Sequence, residues 1–452
     1  RAYSFTREMV WPAVAEKYLD LFEEMSKRRH RSPRPVRPDR PLRQMDFELP
    51  EIKIDHLRIV TDDTGVLRYC KGSVPDRDHG YMTSDNARAL AAVMLGKDHL
   101  KSGAGCTELA TRYLAFLDHS FDRETLGFHE SMGYDRQWRP QRGSEESHAT
   151  ALWGLGVAVS RSQVVGQLTV SVTLFHEALQ MAEQFQSPRA WAYTLLAIQE
   201  YLRRFSGDSE ARRVRESLAH RLLERFTSNQ DDDWRWPENT LTYDNARLPH
   251  ALLMSGRWLF NSEMIETALN SLDWLFQIEL SEHGYFMPIG NDGWFPRGGV
   301  RSRFNQSPIE ACAMLEACLE AYRVTQSEHW MERAQICLNW FRGFNDMQLP
   351  LYDNETGGCH DCLHPAGVNE NMGARATLSW LLALLAMYDH EAEQATKVDE
   401  HQSEPALPEV VERKLPESVK AALAARREKK EQAAKTKTET EAEAEAEAAS
   451  AK

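Results

Sequence analysis

Seven cysteines are scattered through 452 residues, an odd number without the close spacing of a disulfide framework. They read as the reduced thiols of a cytoplasmic protein. No run of 18 apolar residues occurs, so no membrane-spanning helix is expected. A basic stripe is missing too. The 54 Lys and Arg are outnumbered by 68 Asp and Glu, for a net charge of −14 and a pI near 5.7, and nucleic acid is not an expected partner. Convincing runs of alternating hydrophobicity are absent, leaving room only for short strands around 126–139 and 283–296. Cys-x-x-Cys occurs once, at Cys359 and Cys362 beside His360 and His364. With no second pair to complete a four-ligand zinc site, no metal is assigned, and no cofactor is expected.

What the chain does have is helix, and a tetrapeptide that occurs twice. Asp85-Asn86-Ala87-Arg88 and Asp244-Asn245-Ala246-Arg247 each open an apolar helical run, 159 residues apart. A helical hairpin with its connections takes roughly 40–60 residues, so three hairpins separate the copies and a ring of six needs about 318 residues. Helical periodicity predicts twelve helices near 54–62, 84–95, 105–119, 146–162, 169–185, 188–204, 208–227, 244–259, 262–278, 307–325, 328–345 and 371–388. The expected fold is all-α, an (α/α)6 toroid of six hairpins over 51–390. The even-numbered helices form its inner ring, and Asp85 and Asp244 lie on opposite sides. Residues 1–30 contain an amphipathic helix with Met9, Val10, Val14, Tyr18, Leu21 and Phe22 at helical spacing, expected to expose an apolar stripe. This segment starts without Met and reads as the end of a longer enzyme. Residues 31–50 are a Pro- and Arg-rich linker, and 391–452 a Glu-, Ala- and Lys-rich tail expected to be disordered or a lone solvated helix.

The long connections precede helices two, four, eight, ten and twelve, which gathers the unusual chemistry at one rim. The first supplies Asp78, His79, Tyr81, Asp85 and Arg88, and the second Tyr134, Asp135, Glu145, Glu146 and His148. Helix six is entered through a short turn whose Trp191 and Tyr193 are read as core. The fourth rim element supplies Trp234, Trp236, Glu238, Tyr243, Asp244, Asn245, Arg247 and His250. The fifth gives Asn291, Trp294, Arg297, Gln306 and Glu310, and the sixth Asp353, Asp361 and Asn371. Aromatic faces beside carboxylates, amides and arginines suit a sugar, whose C–H faces stack and whose hydroxyls each need a partner when buried. Oligo- or polysaccharide is therefore the expected ligand.

The motifs DHGYMTSDNARAL, SHATALWGLG, LTYDNARLPHALL, GNDGWFPRGG with QSPIEACAMLEACL, and NENMGARATLSWLLALL resemble a six-hairpin glycosidase-like domain. That domain is found appended to, or beside, bacterial family 4 glycosyltransferases of the GT-B fold. Residues 6–28 resemble the closing helix of such a transferase. The resemblance implies the toroid, a carbohydrate ligand and an upstream transferase domain as partner; it gives no catalytic pair. Cys362 departs from the pattern, which has a small residue there.

Three functions compete. A glycoside-processing enzyme needs two carboxylates across the scissile bond, and Glu238, Asp244, Asp85 and Glu146 are the candidates. Glu238 is expected in a dry aromatic wall that raises its pKa and suits it to donate a proton, with Asp85 or Asp244 ionised beside Arg88 or Arg247. A binding or regulatory domain of a glycosyltransferase uses the same groups without turnover. An epimerase-like toroid uses His79, His148 and His250 as proton carriers.

Overall fold

A computed structural model describes residue 11 and residues 15–23, 48–100, 105–140 and 143–402, with side chains to 395. The linker over 31–47 and the tail beyond 402 lie outside the described residues. The chain divides into two units, Arg1–Glu391 and Ala392–Lys452. Of the second, the described residues are helical through Gln402. Residues 15–23 are also helical, and Trp11, Tyr18, Leu19, Leu21 and Phe22 are exposed.

From residue 55 onward twelve helices follow one another: α1 (Asp55–Ile59), α2 (Thr83–Gly96), α3 (Cys106–Ser120), α4 (Glu145–Arg161), α5 (Val165–Leu179), α6 (Pro188–Arg204), α7 (Ser209–Asn229), α8 (Arg247–Leu259), α9 (Ser262–Glu279), α10 (Pro308–Thr325), α11 (Glu328–Phe341) and α12 (Ala374–Gln402). Each even-numbered helix packs against the next even one: α2 on α4, α4 on α6, α6 on α8, α8 on α10. Leu385 of α12 lies beside Gly96 of α2, and His99 bonds Asp389 at 2.6 Å, which closes the ring. The even helices are buried nearly all round, as an inner helix must be, whereas α7 and α9 bury one stripe. The expected toroid is therefore the observed fold.

Small residues let the inner helices approach. A β-carbon at Gly154 would collide with the Ala87 carbonyl of α2, and one at Gly156 with the Ala197 carbonyl of α6. Two glycines two residues apart thus seat α4 between its neighbours, and an alanine at either forces a shift typically worth about 1–3 kcal/mol.

The strands lie in the connections that lead into the inner helices. A three-stranded sheet β1 (Leu67–Lys71), β2 (Val74–Met82) and β5 (Ser131–Met132) joins the loops before α2 and α4. Pairs β3 (Phe121–Asp122)–β4 (Gly127–Phe128), β6 (Thr240–Leu241)–β7 (Phe295–Pro296) and β8 (Leu363–His364)–β9 (Gly367–Val368) complete the set. Short strands thus occur in both expected regions, but the β1–β2 hairpin was read as loop. Much of β2 is exposed or half-buried on both faces, so no period of two is imposed on its sequence. Asp78, His79 and Tyr81 are strand residues.

Candidate functional site

The starts of the six inner helices and their loops form one mouth. Ser144 caps α4 by accepting the Ser147 N–H, and Ser187 caps α6 by accepting the Ala190 N–H. Glu145 accepts the Gln186 and Ser187 N–H groups at 2.7 Å each, so it braces the next loop. Glu146 is left at the mouth, where its carboxylate accepts the Ser187 hydroxyl at 2.5 Å.

Across from it, Tyr243 is 41% exposed and its ring lies 6.2 Å from that of Trp294. These two form the aromatic surface that a sugar face can meet. Burial, with Glu146 nearby, pushes the Tyr243 hydroxyl up to about 12. Beneath it Arg189 holds the wall together. Its guanidinium donates to both Glu238 oxygens (3.0 and 2.8 Å), to the Tyr243 carbonyl (2.6 Å), to Thr242 and to Asn245. Glu238 is therefore clamped by an arginine rather than held in a dry aromatic wall. The two tryptophans expected around it are core residues. Trp236 is fully buried against Phe226, and Trp234 packs edge-on to Trp274 and Phe295.

On the opposite side of the mouth stand Asp85 and Asp361. Asp85 lies 4.0 Å from Arg88. Asp361, in the loop before α12, is within electrostatic reach of Arg375, Asp85 and Arg68, and burial raises its carboxyl above the ordinary range. Asn371 supports this corner by accepting the Cys70 N–H at 2.8 Å. Tyr134, 42% exposed, stacks on Tyr81, whose hydroxyl donates to Asp62 at 2.6 Å.

Deeper in the bore the two tetrapeptides meet on a residue of α6. Tyr193 donates its hydroxyl to Asp244 at 2.6 Å, and the Arg88 and Arg247 guanidinium carbons lie 5.7 and 5.3 Å from its ring. Arg247 also pairs with Asp244 at 3.5 Å and with Glu316. Asp244 sits at φ +49°, held by Glu310, which accepts the Asp244 and Asn245 N–H groups at 2.5 and 3.3 Å. His250, one turn below Arg247, has a buried Nδ1 without a hydrogen-bond partner, and burial and Arg247 lower its pKa well below the usual imidazole value.

Several expected ligand contacts have structural partners instead. His148 bonds the Ala178 carbonyl between the rings of Phe128 and Phe185, facing the outer helices. Gln306 joins Asp346 and Trp340 in the core, Arg297 binds the Asn229–Asp231 turn, and Asp353 closes its own loop on Thr356. Asp78, His79, Asp135 and Asn291 are exposed, with His79 beside Asp76 and Asp135 accepting the Gln137 N–H in its own turn. Arg189 is not among the residues that the sequence singles out, and Tyr193, expected in the core, is buried there. Arg189 did carry a signal: a cation in the first turn of an apolar helix opposes the helix dipole, so something else must hold it there.

No family model matches the chain, and no curated protein matches it in sequence. Solved structures do match. A cellobiose 2-epimerase from Bacillus thermoamylovorans B4167 is similar at 11% identity over 75% of this chain and 95% of its own, with a TM-score of 0.59. A D-mannose isomerase is similar at 11% identity over 74% and 95%, TM-score 0.58. A GH76 α-mannanase from Bacteroides thetaiotaomicron follows at 11% over 76% and 95%, TM-score 0.52. At this identity the likeness is one of fold, and the fold is the (α/α)6 toroid.

Proposed function

We propose that the chain is a carbohydrate-processing enzyme whose site is the mouth formed by the inner-helix starts. The observation that carries this is the contrast between Asp361 and Asp85. Burial favours the protonated form of Asp361, while Asp85 has the Arg88 guanidinium beside it. Two neighbouring carboxyls, one favoured in its protonated form and one beside a guanidinium, suit a pair that divides proton donation to a leaving oxygen from support of the positive charge in the transition state. Tyr243 and Trp294 would stack the sugar, and Glu146 would take its hydroxyls. Of the acids first considered, Glu238 and Asp244 serve in this reading as anchors for Arg189 and Tyr193.

Glycan screening by reducing-end release tests it. Asp361→Asn is expected to lose at least about 100-fold in turnover with binding retained, the usual scale for a general acid. Full turnover in that variant would remove Asp361 from the chemistry. Binding without turnover in the parent would make the domain a binding module, as expected for a regulatory part of a glycosyltransferase. That association rests on the pattern of residues 6–28. Seven free thiols support a cytoplasmic setting, and among the described residues no helix is long and apolar enough to cross a membrane.

A second reading is sugar epimerisation. The epimerase and isomerase among the similar structures lend it support. Deuterium uptake at the carbon beside the sugar carbonyl, measured by NMR in heavy water, separates it from hydrolysis.

A further inference from the structure

Six inner helices could enclose a channel open at both ends, or a cleft with two exits. Neither is found here. The loops entering adjacent inner helices are joined by hydrogen bonds at all six junctions. Strand β2 pairs with β5 between the α2 and α4 loops, and Glu145 takes two N–H groups between α4 and α6. Arg189 reaches Glu238 and Tyr243 between α6 and α8. Strands β6 and β7 join α8 to α10, Gln306 bridges Leu363 between α10 and α12, and Asn371 takes the Cys70 N–H between α12 and α2. Among the described residues, then, no two neighbouring loops are left unlinked, and the wall runs round the mouth as a bonded ring.

The bottom is closed as well. Five of the six inner helices contribute a buried side chain to one cluster: Arg88, Trp153, Tyr193, Arg247 and Cys312. Tyr193 contacts the first, second and fourth of these, with the Trp153 ring 6.0 Å away. Cys312 is within electrostatic reach of both arginines. Each is less than one-tenth exposed.

We propose that the site is a closed cup that accepts only the end of a glycan, with Tyr193 as the residue that sets its depth. An internal sugar has chain leaving on two sides, and a cup offers one exit. The inference rests on the carbohydrate reading and adds to it the class of substrate, a chain terminus or a short free sugar.

The test compares short gluco-, manno- and galacto-oligosaccharides in open form with the same glycans blocked at both ends, by calorimetry and by product analysis. Blocking is expected to weaken binding at least about tenfold, and any products are expected to come from a terminus only. Tyr193→Ala should narrow the difference between open and blocked forms, while Tyr193→Phe, which keeps the ring and loses the bond to Asp244, should preserve it. Equal binding of open and blocked glycans, or release of internal fragments, overturns the cup and leaves the carbohydrate reading standing. Failure of every open and blocked glycan to bind overturns both. Should Tyr193→Ala fail to fold, the ratio for the parent protein decides alone.

Discussion

In the first Asp-Asn-Ala-Arg copy the backbone is already helical, since α2 begins at Thr83 and Asp85 lies in its first turn. In the second, α8 begins only at Arg247, and Asp244 precedes it in the left-handed region. The second and fourth residues nonetheless have the same duties. Asn86 accepts the Val66 N–H and donates to the Met82 carbonyl, while Asn245 accepts the Thr242 N–H and donates to the Thr242 carbonyl. Each asparagine fastens an entering loop to an inner helix, and each arginine reaches Tyr193. The aspartates part company. Asp85 shares the mouth with Asp361, whereas Asp244 is buried under Tyr193 and Glu310. The repeat is thus a fastening, and its buried first residue meets different partners in the two copies.

The largest test of that difference is to remove each arginine. Arg247→Leu leaves Asp244 and Glu316 without their cation in a buried site, a loss expected at about 3–5 kcal/mol. Arg88→Leu deprives Asp85 of a cation that stands 4.0 Å away and, among the described residues, binds no second carboxylate, and about 1–2 kcal/mol is expected. Urea denaturation of the two variants measures both values. Equal losses would mean that the two copies are energetically equivalent and that the contrast drawn between their aspartates is wrong.

Removing the asparagines asks whether the shared part is truly shared. Asn86→Ala and Asn245→Ala each strip a loop N–H and a carbonyl of their partner, and about 1–3 kcal/mol is expected for each. The loss at Asn245 should be the larger, since Arg189 and Glu310 also bond it. A loss confined to one copy would show that only that asparagine fastens its loop.

The ring itself was legible because its signals are local and repeated. The helix predicted at 188–204 is found at Pro188–Arg204, and the other inner helices start within three residues of their expected positions. The fifth predicted helix, 169–185, is observed at Val165–Leu179 followed by a 3-10 turn at Ala182–Gln184, because apolar residues on both sides of the break keep the periodicity running. The mouth was legible only by loop, not by direction. Sequence placed Trp234, Trp236 and His148 at the right end of the ring, but which way a ring points depends on partners such as Trp274 or the Ala178 carbonyl, distant in sequence. Glu238 misled for the same reason, since its partner Arg189 lies 49 residues earlier. Tyr193 sits in an apolar helical run that reads as core, although it touches both arginines.

The smallest effect concerns Glu310, which braces only the second copy. Burial, with Glu279 and Asp244 nearby, raises its carboxyl well above the ordinary range, against the pull of the two N–H groups it accepts. Such a carboxyl binds its proton more tightly in the folded chain than in the unfolded one. Between the unfolded value, about 4.3, and the raised folded value, the native state carries more protons, so stability falls as pH rises through that window. Below the window both states are protonated and the slope disappears. Glu279, pushed up to about 7 by burial, contributes a slope of the same sign, so the informative quantity is the difference between parent and variant. Glu310→Gln cannot ionise, and its stability relative to the parent should climb as pH rises from about 5 to 7, by no more than about 1.4 kcal/mol per pH unit. A difference that stays flat with pH would mean that Glu310 is ionised throughout. Asp244 would then be held by a full negative charge, and the second copy would be the more electrostatic of the two rather than the more deeply buried.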